Sequence, residues 1–231
     1  KAVNNSIYAI GISLKKLKKR GVVIMNKVIT ISRQFASGGR EIGEKVAKVF
    51  DIPYYDNELI TQAAKASGFA ESIFERAEEK ATNSLLYSIA MGMNAYNSQE
   101  FGFLGYNNMS LDDRIFIAQS DIIRKVAKEG PCVIIGRCAD YILRDKPNVV
   151  NIFVHAGMDF RIQRATTKYG LAVEKAAENI MKRDKRRANY HNYHSDEKWG
   201  SINNYDLAIK TDFGGIDHAV QCIKSFLEIN S

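Results

Sequence analysis

The sequence is short of the residues that staple or segment a chain. It has three cysteines in 231 residues, Cys132, Cys138 and Cys222. The nearest two are spaced C-x5-C, which excludes a disulfide framework and a C-x2-C zinc site and leaves buried reduced thiols as the expectation. Three prolines and the lack of any Ser/Gly-rich stretch provide no linker for a string of separate domains. No run approaches the roughly 18–20 apolar residues that a membrane span needs. There is no internal repeat. His191 and His194 stand close together, but no cysteine or acidic set accompanies them, so no metal ligands are assigned and a mobile polar tip is the expectation there. With no compartment signal, the cytoplasm is the default location.

Acidic residues are missing from one place. Residues 1–25 hold Lys1, Lys15, Lys16, Lys18, Lys19 and Arg20 and no Asp or Glu. That arm carries six of the 33 bases, and the other 206 residues hold 27 bases against 26 acids, nearly balanced. A secretory signal places its charges before its apolar run, and here the weak patch Ile7–Ile12 comes first. Met25 stands just before the first strand-like run. The arm is read either as an upstream extension of a chain starting at Met25, or as a basic tail for RNA or an anionic membrane. Discounting it leaves no charge argument for nucleic acid, and none for a membrane.

What is present describes a globular α/β chain. Hydrophobic residues at 45% and aromatics at 10% supply enough apolar matter for a sizeable core. Val28–Ile31 is a short β-branched run, as a strand buried on both faces requires. A turn over Ser32–Gly39 leads to a helix carrying Ile42, Val46, Val49 and Phe50. Pro53-Tyr54-Tyr55 reads as a second strand, ended by Asp56. Helices follow over 57–67 and 70–80, the latter charged. Residues 81–110 read as an inserted, mobile segment whose aromatics (Tyr87, Tyr96, Phe101, Phe103, Tyr106) suit a base pocket, a subdomain core or a homo-oligomer contact. Leu111, Ile115, Ala118, Ile122 and Val126 mark a helix stopped at Gly130-Pro131. Strands are expected at Cys132–Ile135, Val149–Val154 and Leu207–Ile209, and helices over 158–168, 172–190 and from Ile216 to Leu227. Strands alternating with amphipathic helices imply a parallel sheet covered on both faces, with ligands at the carboxyl ends of its strands.

The residues that follow the strands are the informative ones. Ser32-Arg33-Gln34-Phe35-Ala36-Ser37-Gly38-Gly39-Arg40 runs from a strand end into a helix start, where backbone N–H groups and a helix N-terminus can hold an anion. A Walker loop reads G-x4-G-K-[ST]. The spacing is kept here, but Arg33 takes the first Gly position, Gly39 the Lys position and Arg40 the Ser/Thr position. Alone, this pattern fits a phosphate loop or a plain structural turn. It is followed by Tyr54-Tyr55-Asp56, Gly136-Arg137-Cys138-Ala139-Asp140 and Lys182-Arg183-Asp184-Lys185-Arg186-Arg187.

Taken together, these stretches resemble the cytidylate kinase-like branch of the nucleoside monophosphate kinases, in a divergent form whose loop reads Ser-Arg-Gln-Phe-x-Ser-Gly-Gly-Arg. The resemblance covers residues 27–228. It implies a three-layer P-loop kinase fold with a five-stranded parallel sheet in the order 2-3-1-4-5. It also implies an inserted acceptor-binding region over about 57–110 and a lid over about 182–203, within a single domain 26–231 that follows the arm. By the same resemblance Ser37, Gly38, Gly39 and Arg40 lie under the donor phosphates, and Asp56 lies near the acceptor. Arg137 and Asp140 contact the acceptor, while Arg183, Asp184 and Arg186 match the lid pattern Arg-Asp-x-Arg, with Arg187 an extra base where that pattern is often acidic. The implied reaction is phosphoryl transfer from ATP, with Mg2+, to a pyrimidine nucleoside monophosphate such as CMP or dCMP. Because no Walker lysine is present, Arg33 or Arg40 is expected to supply its charge; the alternatives are that both are solvated surface cations, and that the protein binds nucleotides without turnover. Glu41 either approaches the metal or favours the helix N-terminus.

Overall fold

In this computed structural model residues 26–66 and 110–229 are described. The basic arm, the expected helix over 70–80 and the aromatic segment up to 109 lie outside them. β1 (Val28–Arg33) is the centre of the sheet, and all of it but Arg33 is buried. It runs two residues beyond the expected Val28–Ile31, because Ser32 and Arg33 still pair with Phe153 and Val154 of β4 (Val149–His155). On its other side Val28–Ile31 pair with β3 (Cys132–Ile135). β2 (Tyr54–Tyr55) adds to β3, and β5 (Leu207–Lys210) adds to β4. Every pairing is parallel and the order is β2-β3-β1-β4-β5, as expected. β5 alternates half-buried with exposed residues, as an edge strand covered on one face does.

The helices are α1 (Gly39–Phe50), α2 (Asn57–Ala66), α3 (Leu111–Glu129), α4 (Ala139–Ile142), α5 (Met158–Tyr169), α6 (Val173–His194) and α7 (Gly215–Ile229). Contacts group the described residues into two units. One is 26–57 with 123–229, which contains the sheet; the other is 58–66 with 110–122. In the second, Gln119 Nε2 donates to Thr61 Oγ1 at 3.1 Å.

In the sheet unit, Ile42 and Val46 of α1 and Ala219, Val220, Ile223 and Leu227 of α7 close over Ile29, Ile31, Val133, Ile135 and Ile152. Each such buried aliphatic contributes roughly 1.5–3 kcal/mol relative to exposure, so packing decides where α1 lies. Val49, expected on that stripe, is 46% exposed. The stripe turns instead through Gly43, where a Cβ would stand 2.4 Å from Ile135 Cδ1. The missing side chain lets α1 approach the sheet closely. A second cluster joins Phe35 and Ala36 of the loop after β1 to Ala165 of α5 and Ile180 of α6. The loop is thereby packed against the long helix that carries the basic stretch.

Candidate functional site

The loop between β1 and α1 is held by its own polar groups. Gln34 N–H donates to Val154 O, and Gln34 Oε1 accepts from Ala156 N–H. Ser37 is fully buried, and its hydroxyl is turned inward onto Gln34 O (2.9 Å) and Val154 O (3.1 Å). Thr211 Oγ1, from the end of β5, donates to Ser37 O at 2.7 Å. What residues 37–39 can offer a ligand is therefore backbone. Gly38 has φ 94°, and a Cβ there would lie 2.1 Å from Ile216 Cδ1, so both conformation and space call for glycine. No side chain caps the start of α1. Its first N–H groups are thus available to an anion.

A buried clamp fixes this loop to α5 and α6. Phe35 N–H donates to Asp184 Oδ1 at 2.6 Å, while Arg161 Nε donates to Phe35 O at 2.8 Å. Arg161 Nη2 closes the triangle by pairing with Asp184 Oδ2. Asp184, expected at the nucleotide, thus holds the loop's backbone. The Phe35 ring lies beneath Arg183 and Arg187, whose guanidinium carbons are 4.5 and 5.6 Å from its centroid. Arg187 Nη1 also donates to Arg33 O at 2.8 Å.

Beside the loop, at the carboxyl ends of β1 and β3, is a cavity of about 330 Å³. Arg33, Arg137, Arg186 and Arg187 line it, with Tyr190 and Trp199 among the other walls. Arg137 lies 5.3 Å from the centre of the Tyr190 ring, and Trp199 packs edge-on against Phe153. Gly136, Arg137 and Cys138 are three successive residues with positive φ (70°, 58°, 56°). Each non-glycine member costs on the order of 1–2 kcal/mol, and strain of this kind gathers where a side chain must be aimed.

Below this strained turn, Asp140 is 3% exposed. Its Oδ2 accepts from Ser32 Oγ (3.2 Å) and pairs with His191 Nε2 (3.3 Å). The remaining nitrogen of His191 faces Ser195 Oγ at 3.1 Å. His191 is therefore no mobile tip. It is buried, and α6 continues to His194 because this contact holds its last turn. Arg40 and Asp56 form a separate ion pair at 2.6 Å and do not line the cavity; Arg40 is 63% exposed.

The expected site residues thus fall into four places. Arg33, Arg137, Arg186 and Arg187 converge on the cavity, and Ser37, Gly38 and Gly39 form the neighbouring loop. Asp140 supports the floor from beneath. Arg183 and Asp184 grip Phe35, while Arg40 and Asp56 face each other. Arg161, Arg164, His191 and Thr211 were not expected. Arg164 pairs with Glu41 at 2.9 Å, which holds the Glu41 carboxyl below its ordinary range. The i,i+3 spacing of Arg161 and Arg164 on a helix next to the loop was the available signal.

The electrostatics set the cavity apart. Among the described residues no carboxylate lies within ion-pair distance of any of its four arginines. Burial, and then the charge of Arg187, lower the Arg33 pKa to about 9. Burial also lowers that of Arg187. The charges of Asp184 on Arg187 and of Asp56 on Arg33 offset this only in part, and cations held together without a close carboxylate are costly until an anion arrives. Burial pushes Cys132 up to about 12 and Cys138 up as well, so both remain thiols.

His191 is pulled two ways. Burial lowers its pKa, but the hydrogen bond and charge of Asp140 outweigh this and raise it. Glu197 is raised by burial and by Asp140. A raised folded pKa gives a contribution that is complete below the unfolded value, about 6.5 for His, and is lost as pH rises through the folded one. Stability should therefore fall as pH climbs from about 6.5 through the folded pKa of His191, and Glu197 adds loss in the same direction from a lower pH, above the ordinary carboxylate range. Urea midpoints taken across this range should show the fall, and His191→Gln should flatten it; an unchanged slope would rule the Asp140–His191 pair out as its source.

The implied Mg2+ meets no ready seat. Glu41, in the first turn of α1, and Asp56, directly after β2, are each paired with an arginine. Among the described residues no group of three His, Cys, Asp or Glu could hold a metal. The side chains do not fit a protein-held ion; Mg2+ commonly travels on substrate phosphates with its own waters, and no step is assigned to it here.

Known proteins share this fold. Among solved structures, a protein described as uncharacterized from Eubacterium ventriosum is 28% identical, with 87% of this chain and 98% of that one covered and a TM-score of 0.65. Shikimate kinase from Bacteroides thetaiotaomicron is 13% identical (87% and 98% covered, TM-score 0.51), and TT1252 from Thermus thermophilus 12% (87% and 98% covered, TM-score 0.52). At those identities the likeness is one of fold alone. No curated protein matches the chain. The model of the cytidylate kinase-like family matches residues 28–212. That span takes in the glycine loop, the strained Gly136–Cys138 turn and the basic helix over them, so the chain belongs to the cytidylate kinase-like family and its function is of the nucleotide-kinase type.

Proposed function

We propose that the protein transfers the terminal phosphoryl group of ATP to a pyrimidine nucleoside monophosphate, with CMP and dCMP the first acceptors to test. The observation that carries this reading is the cavity at the ends of β1 and β3, where four arginines converge without a carboxylate partner among the described residues. Guanidinium groups match phosphate oxygens two at a time. Phosphoryl transfer asks mainly that donor and acceptor be held in line while charge on the moving group is neutralised.

In this reading the Gly38–Gly39 backbone and the α1 N-terminus hold the donor phosphates. Arg137, aimed by its left-handed backbone, takes the acceptor phosphate. Arg186 and Arg187, with Arg183 beside them on α6, neutralise the group in transit. Asp140 and Asp184 act through what they hold: Asp140 beneath the strained turn, Asp184 on the loop backbone. Arg40 and Asp56 form the edge of the site as a pair. Bound ATP supplies the activated phosphoryl group.

A coupled assay with Mg-ATP and CMP, dCMP, UMP or AMP tests the reading. Turnover is expected, highest with CMP or dCMP. No turnover with any of the four would sink it, and tight ATP binding without turnover would make the protein a nucleotide-binding one, as the missing Walker lysine allows.

A further inference from the structure

We infer that Arg33 is the loop's phosphate-contacting cation, carried on the last residue of β1 in place of a lysine at position 39. This deepens the kinase reading and rests on it. In a Walker loop the lysine stands at position 39 and a glycine at position 33. Here the two are exchanged, and the packing shows why they exchange together. A Cβ built on Gly39 would lie 2.6 Å from Arg33 Cβ and 2.9 Å from Arg33 Cγ. The stem of Arg33 therefore fills the volume through which any side chain at 39 would leave the backbone. Arginine at 33 excludes lysine at 39, and lysine at 39 would need a small residue at 33.

The head of Arg33 is placed as deliberately as its stem. A Cβ on Gly136 would come within 2.1 Å of Arg33 Nη1 and 3.2 Å of its Cζ. A second glycine thus leaves room for the guanidinium, next to Arg137 in the chain and on the wall of the cavity. No carboxylate takes that guanidinium among the described residues. Its own carbonyl accepts from Arg187, which ties its backbone to α6. Arg40 is differently situated: it pairs with Asp56 at 2.6 Å and is mostly exposed.

The step is a simple exchange. An acceptor phosphate oxygen bonds to the terminal phosphorus of ATP, the bond from that phosphorus to its bridging oxygen breaks, and ADP leaves with the electron pair. Arg33 gives up no proton. Its fork lies against the phosphate oxygens whose charge must be held during transfer.

The test is a reciprocal exchange in the full chain, read by ATP affinity in calorimetry, by turnover and by urea midpoint. Arg33→Ala should weaken ATP binding at least tenfold and cut turnover by about a hundredfold or more, as loss of one transition-state donor does. Its midpoint should not fall, since a half-buried cation with no carboxylate at ion-pair distance among the described residues is removed. Gly39→Lys alone should lower the midpoint, because its stem meets that of Arg33. R33G/G39K should recover the midpoint lost in Gly39→Lys and bind ATP at least tenfold better than R33G.

The inference is overturned if Arg33→Ala binds ATP like the wild type, or if R33G/G39K is no better than R33G. The binding measurement separates the two ideas. A wild type that binds ATP through Arg33 but turns over no acceptor sinks the kinase reading and leaves this one standing. A wild type with full turnover and an indifferent Arg33 does the reverse.

Discussion

Asp184→Ala should destabilise the fold by about 3–5 kcal/mol, the cost of removing one partner from a buried ion pair. The carboxylate does two things at once. One oxygen accepts from Phe35 N–H and the other pairs with Arg161, which is itself only 4% exposed. Without it a guanidinium stays buried with only Phe35 O as a named acceptor, and a loop N–H loses its partner. The damage reaches function because the orphaned residue is Phe35, in the middle of the glycine loop. Asp184→Asn keeps an acceptor but loses the charge, and should fall between alanine and wild type. Urea unfolding measures both variants. Midpoints within about 0.5 kcal/mol of wild type, the scatter of an ordinary surface substitution, would show that the clamp does not hold the loop.

Arg137→Ala should cut kcat/KM for the acceptor by about 10–100-fold, the kinetic equivalent of losing a charged hydrogen bond worth about 1.5–3 kcal/mol. KM for ATP should hardly move, because the α1 N-terminus and loop are untouched. Arg137→Gly separates aim from chemistry. It loses the guanidinium equally but relieves a φ of 58°, so it should be as inactive as alanine and more stable by about 0.5–1 kcal/mol. Steady-state kinetics with varied acceptor, together with melting curves of both variants, check this. An acceptor KM unchanged in both would move the acceptor phosphate elsewhere.

The sheet was legible in the sequence for a simple reason. Strands buried on both faces read as nearly continuous apolar runs, and Val28–Ile31, Cys132–Ile135 and Val149–Val154 do so, with only Thr30 and Asn151 as polar members, which hydrogen-bond to each other. The residues at their carboxyl ends could be picked out because topology alone places them together. The site's inner geometry was not legible, since it depends on partners far apart in the chain. His191 looked like part of a polar tip, and only Asp140, 51 positions away, makes it a buried anchor. The basic stretch of α6 looked uniform, yet Arg183 and Asp184 turn to Phe35 while Arg186 lines the cavity. Ser37 looked like a ligand contact, and its hydroxyl is spent on two carbonyls. Val49 fitted the helical period, but the closest approach to the sheet is at Gly43. Period reports which face turns inward, not how near it comes.

The central place of β1 also bears on how the chain is made. Its neighbours, β3 and β4, begin at Cys132 and Val149, each more than a hundred residues later than Val28. On a ribosome this strand emerges before either neighbour exists, with Val28, Ile29 and Ile31 still to be buried. Pairings this distant are slow to form, and an unpaired strand edge invites association with other chains. Newly made protein should thus be most vulnerable to aggregation before β4 has emerged, and a fragment truncated ahead of Val149 should keep β1 exposed along one edge.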